Sequence, residues 1–179
     1  MLSAIAAATS ALGRSTMTSA SASPKLREVA RLVYLQTAMA DTASRISGRC
    51  MCGGVTYSAD ADPVVQAVCH CTDCQRQTGN PFSVIVGVPR DAFTVEGDTL
   101  ASFETTGSDH GEKTERNFCS ACGSPLFSLS PVAPQFVFIK AGSLDDASWF
   151  EPTLEVWTSS AHAWSPHFAG AAQMERGPG

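Results

Sequence analysis

Charge is scarce in this sequence, and nowhere does it gather Lys or Arg into a run. Only 16% of the 179 residues are charged and the formal net charge is −5. That balance argues against nucleic acid or an anionic membrane as partner. No apolar run approaches the ~20 residues needed to span a bilayer, so a soluble chain is expected. Internal repeats are missing too. Between Ser47 and Pro131 no convincing helical period appears, apart from a turn after Cys74. What remains fits one globular domain with a modest core and a tail.

The pattern that is present is β. GGVTYSA, VVQAV, FSVIVGVP, AFTV, TLASFE, TERNF, PLFSLS, QFVFIKAG and TLEVWTS are short, apolar and rich in Val, Thr and Phe. Turn signals separate them: Asp62-Pro63, Pro89-Arg90-Asp91, Glu96-Gly97-Asp98 and the stretch Gly107 to Gly111. Many short strands at close spacing predict an all-β assembly of small antiparallel sheets.

Composition changes near residue 40. Residues 1–38 are rich in Ala and Ser, carry Arg14, Lys25, Arg27 and Arg31, and hold a single acid, Glu28. This bias resembles an organellar transit segment, whereas MLSAIAAATSALG lacks the charged start of a secretory signal. Met39, opening MADTASRISGRC, is an equally good start for the chain. Either way residues 1–44 form an extension outside the fold, residues 45–168 the domain, and residues 169–179 a loose tail. The expected location is cytoplasmic, or mitochondrial or plastid if residues 1–38 are a transit segment.

Seven cysteines carry the chemistry, as Cys50-x-Cys52, Cys69-x-Cys71-x-x-Cys74 and Cys119-x-x-Cys122. The odd count and the strain of bridging neighbours so close together argue against disulfides, and for metal in a reducing compartment. Cys119-Ser-Ala-Cys122-Gly123 is a zinc-knuckle pattern, and Cys50-Met-Cys52-Gly53 offers the matching pair. Four thiolates close a tetrahedron, so this zinc is structural and contributes on the order of ~10 kcal/mol to folding. Cys69, Cys71 and Cys74 supply only three ligands. One position of a second zinc then stays open to a thiol, held there as its nucleophilic thiolate. Alternatively His70, or a distant Asp or His, fills that position and the site is inert.

GRCMCGGVTY, CHCTDCQRQTG, RNFCSACGSPLF and GSLDDASWFEPTLEVWTSSAHAW together resemble the glutathione-dependent formaldehyde-activating (centromere protein V-like) family, over about residues 47–165. The resemblance implies an Mss4-like all-β fold stapled by two zinc ions per chain. It places the structural zinc on Cys50, Cys52, Cys119 and Cys122. The second zinc falls on Cys69, Cys71 and Cys74, the catalytic residues beside the substrates. The implied activity is that of a carbon–sulfur lyase, condensing glutathione reversibly with formaldehyde or another small aldehyde. The rival expectation is a non-catalytic zinc module that binds another protein. The sequence departs from the family at Glu155-Val156, where a His-Ile-like pair is frequent.

The remaining polar and aromatic residues have plainer readings. Arg116, Arg76 and Lys140 are read as strand-surface cations that could instead meet a substrate carboxylate. His70 is expected to point away from the metal, and His110 to sit at a loop tip. Phe82 and Trp164 are read as core or pocket wall. Thr78 and Gly79 could present a hydroxyl and a backbone amide to an aldehyde oxygen.

Overall fold

A computed structural model of the chain describes residues 46–109 and 111–177. The N-terminal extension, His110 and the last two residues lie outside the described residues. Among those described, two sheets account for the fold. The smaller is antiparallel, in the order β1 (Ile46–Arg49), β2 (Thr56–Ala59), β5 (Phe93–Glu96). The larger joins β3 (Val65–Cys69), β4 (Ser83–Pro89), β6 (Leu100–Thr106), β7 (Lys113–Cys119) and β8 (Pro125–Leu129). It also includes β9 (Phe136–Lys140), β10 (Leu154–Val156) and β11 (Ala172–Met174). Its order is β11-β10-β3-β4-β9-β8-β7-β6. One helix interrupts the strands, α1 (Thr72–Thr78), where the sequence suggests only a turn. No helix among the described residues is long and apolar enough to cross a membrane.

The all-β expectation holds, and each of the nine apolar segments contains a strand. The large sheet is not wholly antiparallel, because β10 pairs parallel with β3 and with β11. Strand β11 falls within the segment expected to be loose. Its three residues are exposed, so they offer no apolar signal; backbone pairing to β10 and a hydrogen bond from the Thr158 hydroxyl to the Met174 carbonyl hold them.

Side chains directly opposite one another on paired strands share a face, and alternate residues along a strand do too. The register therefore sorts the large sheet into two faces. One face carries Val68, Val84, Val86, Ile139 and Phe127. Val86, Ile139 and Phe127 join a core with Ile46, Val55, Tyr57 and Ala59 of the small sheet and its approach. Each fully buried Val or Ile there contributes roughly 1.5–3 kcal/mol. The other face carries Val156, Cys69, Ser83, Lys140 and Arg116, linked through Cys69↔Ser83, Ile85↔Lys140 and Arg116↔Ser128. It mixes these polar groups with apolar ones such as Ile85 and Phe138, and Lys140 and Arg116 are buried within it although Phe103, opposite Arg116, is exposed.

Gly48 fixes the approach of the small sheet. A Cβ there would run into the Tyr57 ring and the Ser143 carbonyl, whose residues are themselves joined by a 2.6 Å Tyr57 Oη–Ser143 Oγ hydrogen bond. Gly48→Ala is expected to cost about 1–3 kcal/mol through overpacking. The urea midpoint of the zinc-loaded protein reads this as a shift at unchanged slope.

Candidate functional site

The first and last cysteine pairs in the sequence meet. Cys50 follows β1, Cys52 follows two residues later, and Cys119 and Cys122 flank the turn from β7 to β8. Their four sulfurs lie within 4.8 Å of one another. Cys50 and Cys52 are 3.5 Å apart, and Cys52 and Cys119 are 3.7 Å apart. A zinc ion with Zn–S bonds of 2.3 Å sets its sulfurs about 3.8 Å apart, so the donor set fits that ion. Gly53 and Gly123, at φ 76° and 75°, make the left-handed turns behind the second cysteine of each pair.

Neighbouring groups hold Cys119 and Cys122 below the usual thiol range. The Val55 N–H donates to Cys50 Sγ at 3.2 Å, and Thr99 Oγ1 lies 3.2 Å from Cys119 Sγ. The Ser124 hydroxyl, with backbone N–H groups, holds Cys122 down to about 5. Cys52 goes the other way: its Gly54 N–H lowers it, but its contacts with Cys50, Cys122 and Cys119 push it up to about 12. Four thiols this close cannot all ionise without a cation between them.

The second group forms where β3 runs into α1. Cys69 ends the strand, Cys71 is the helix N-cap, and Cys74 is the buried residue of the helix. Cys71 Sγ accepts the Cys74 N–H at 3.4 Å. All three sulfurs are buried and within 4.8 Å of one another. Hydrogen bonds among them divide their behaviour. Those with Cys71 and Cys74, with burial, push Cys69 well up. Those from Cys69 and Cys71 hold Cys74 well down, and the Lys140 and Arg116 cations act in the same direction. Three thiols from one strand–helix turn could hold a single soft cation.

The reading of Arg116 and Lys140 as surface cations is overturned, since each is only 6% exposed. Alternation along a strand shows which residues share a face but not that a helix will cover it. Each nitrogen of Arg116 has a polar neighbour: Nε donates to Thr105 Oγ1 and Nη1 to Gln77 Oε1, both at 3.0 Å, with Asp73 3.9 Å from Nη2. Lys140 Nζ donates to Ser83 Oγ at 3.1 Å. Arg76 does stay at the surface, near Asp73 and Ser108.

The proposed role of Thr78 and Gly79 does not survive either. The Thr78 hydroxyl donates to the Cys74 carbonyl at 2.8 Å, and the Gly79 N–H to the Gln75 carbonyl at 2.8 Å. Both donors are spent closing the helix. Phe82 does line a cleft, whereas Trp164 is 71% exposed and stacks on His162.

A third constellation escaped the sequence reading. His70 turns away from the trio and meets Glu155, with Nε2 to Oε2 at 2.9 Å, both residues fully buried. His167 Nδ1 lies 2.8 Å from the same oxygen, and the Phe168 N–H donates to Oε1 at 2.7 Å. Burial acts to raise the Glu155 carboxyl, but the bonds from His167, Phe168 and His70 outweigh it and hold it below the usual carboxylate range. The carboxylate thereby ties the segment after Pro166 to the peptide between Cys69 and Cys71. The available signal was an acid inside the apolar strand TLEVW.

Thr78, Phe82, Ser83, Lys140, Ser143 and Arg49 line a cleft of roughly 790 Å³. It runs from the four-cysteine cluster, through Cys50, to the inner wall formed by Ser83 and Lys140.

A family model described as glutathione-dependent formaldehyde-activating enzyme matches residues 45–160. Several curated relatives carry the same designation in their names. One from Talaromyces marneffei is 28% identical over 114 residues, 62% of this chain and 59% of that protein. One from Aspergillus terreus is 28% identical over 117 residues, 63% of this chain and 59% of that protein. A bacterial one, from Halomonas elongata, is 27% identical over 103 residues, 56% of this chain and 66% of that protein. The chain thus spans about 59% of the length of the first two relatives. A Rhodobacter sphaeroides protein of known crystal structure aligns at 17% identity and a TM-score of 0.45, covering 55% of this chain and 87% of that one.

Removing the Glu155 carboxylate would strand the buried His70 ring and the Phe168 N–H. Glu155→Ala is expected to cost about 3–5 kcal/mol. Urea unfolding measures it, and Glu155→Gln, which keeps an acceptor, should recover part of the loss.

Proposed function

The chain belongs to the glutathione-dependent formaldehyde-activating enzyme family, and from that premise we propose that it is a zinc-dependent carbon–sulfur lyase. It joins a thiol such as glutathione to a small aldehyde, giving an S-hydroxyalkyl adduct, and runs the reverse reaction. The observation that carries the reading is the partition of the thiols into four that enclose a point and three that do not. The four, Cys50, Cys52, Cys119 and Cys122, would hold a structural zinc. Cys69, Cys71 and Cys74 would hold the second. A zinc ion bound to three thiolates supplies one further position at which a thiol loses its proton at neutral pH.

The chain's own residues supply the rest. Cys71 sits at the strand–helix junction and positions its sulfur through the helix cap. Arg116 and Lys140 offset the negative charge that gathers when three thiols, and then a fourth, ionise on one buried face. Burial of the trio excludes water from the sulfur that attacks. The cleft beside Lys140 and Ser83 admits the aldehyde and the body of the thiol. Thiol addition to an aldehyde is already rapid and reversible, so only a modest lowering of the barrier is required.

The test compares wild type with Cys71→Ser and Cys50→Ser. NMR exchange between glutathione, formaldehyde and their adduct gives the rate, and metal analysis gives zinc per chain. Cys71→Ser is expected to keep its fold and about one zinc while its acceleration drops to the uncatalysed level. Cys50→Ser is expected to lose the fold along with its zinc. A wild type that binds zinc at both clusters yet accelerates no thiol–aldehyde pair would contradict the lyase and favour a zinc module for protein binding.

A further inference from the structure

Lys140 is a buried ammonium with unspent donors. A lysine carries three N–H groups, and among the described residues its hydrogen bonds consist of the one to Ser83 Oγ. No carboxylate among the described residues stands within ion-pair distance of it, unlike Arg49 or Lys113. Burying an ammonium costs several kcal/mol, and a folded protein keeps one buried where negative charge or an acceptor meets it.

Its position is set by the sheet. Cys69 pairs directly with Ser83, and Lys140 pairs with Ile85, two residues along the same strand. Cys69, Ser83 and Lys140 therefore project from one face. Ser83 and Lys140 also line the cleft. Lys140 thus borders the space open to a small molecule and projects from the sheet face that carries Cys69.

We propose that Lys140, oriented by Ser83, is a catalytic residue that donates a hydrogen bond to the carbonyl oxygen of the aldehyde as the thiol sulfur adds to its carbon. This rests on the lyase reading above. A carbonyl oxygen lies two bonds from the attacking sulfur, whereas the carboxylates of glutathione lie many bonds away. A cation set against the trio is placed for the near oxygen. Arg116, on the same face, bonds Thr105 and Gln77 and faces Asp73, and it is not among the residues lining the cleft, whereas Lys140 is.

The step balances. A sulfur lone pair forms the C–S bond, and the π pair of the C=O bond moves onto oxygen. One Lys140 proton passes to that oxygen to give the hydroxyl. Lys140 regains from the cleft solvent the proton that the thiol released. The sum is one thiol and one aldehyde giving one hemithioacetal, with no oxidant or reductant.

Lys140→Met keeps an unbranched side chain out to the ε position and removes the ammonium with its charge and donors. Three quantities are measured on it and on wild type: zinc per chain, glutathione affinity by calorimetry without aldehyde, and the exchange rate with formaldehyde. The proposal predicts unchanged zinc and a glutathione Kd within about threefold. It predicts an acceleration reduced about 100-fold, or to the uncatalysed rate if that is reached first. Ser83→Ala, which leaves the ammonium without its orienting partner, should keep zinc and lose about tenfold in rate. It carries the same comparison if the methionine variant does not fold. Wild-type rate in Lys140→Met overturns the proposal while leaving the lyase intact. Loss of the second zinc overturns it in favour of charge balance at the cysteines. Glutathione affinity weakened more than about tenfold, with an unaltered rate at saturation, assigns Lys140 to a substrate carboxylate instead. No acceleration by wild type itself removes the lyase reading and the proposal together.

Discussion

Two cations are buried on one face of a β-sheet, and that placement constrains everything around them. Lys140 and Arg116 lie beneath α1, where an uncompensated charge would cost more than a typical core residue contributes. Arg116 meets its cost with hydrogen bonds to Thr105 and Gln77 and with nearby Asp73. Lys140 has one hydroxyl and the negative charge of the trio. The cations and the thiols are thus mutually dependent. Lys140 and Arg116 act with the neighbouring thiols to hold Cys74 down, while Cys69 is pushed up by its contacts with Cys71 and Cys74.

The two faces of the large sheet divide the labour. The face bearing Val86 and Ile139 packs on the small sheet and supplies apolar stability. The opposite face sets Ile85 and Leu154 against the three cysteines and holds the buried Lys140 and Arg116. The Cys50, Cys52, Cys119 and Cys122 cluster ties the small sheet's first hairpin to the turn between β7 and β8. It borders the cleft through Cys50, so a metal there would also fix the shape of the space beside Lys140. Glu155 provides a further tie, from the tail to the peptide at His70, which the parallel pairing of β10 with β3 brings within reach.

Much of this was legible because short-range rules sufficed. Val- and Thr-rich segments between turn residues located nine strands, and the cysteine spacing grouped the thiols as the fold does. What stayed hidden depends on contacts distant in sequence. Strand β1 (ISGR) is short and broken by a glycine, and β11 (AQM) is exposed, so neither has an apolar pattern. Lys140 closes the apolar run QFVFIK and reads as a solvated strand end until α1 covers it. Glu155 departs from its strand's pattern, but its partners His70 and His167 stand 85 and 12 residues away. Thr78 and Gly79 misled for a related reason, since the sequence showed their donors but not the helix carbonyls that use them.

The account's central claim is that one cysteine cluster is closed and the other is open to a substrate thiol. X-ray absorption at the zinc edge, on fully loaded protein with and without glutathione, tests it directly. One four-thiolate and one three-thiolate site average about 3.5 sulfurs per zinc, rising to about 4 when glutathione is added. A sulfur number that does not change with glutathione would contradict it.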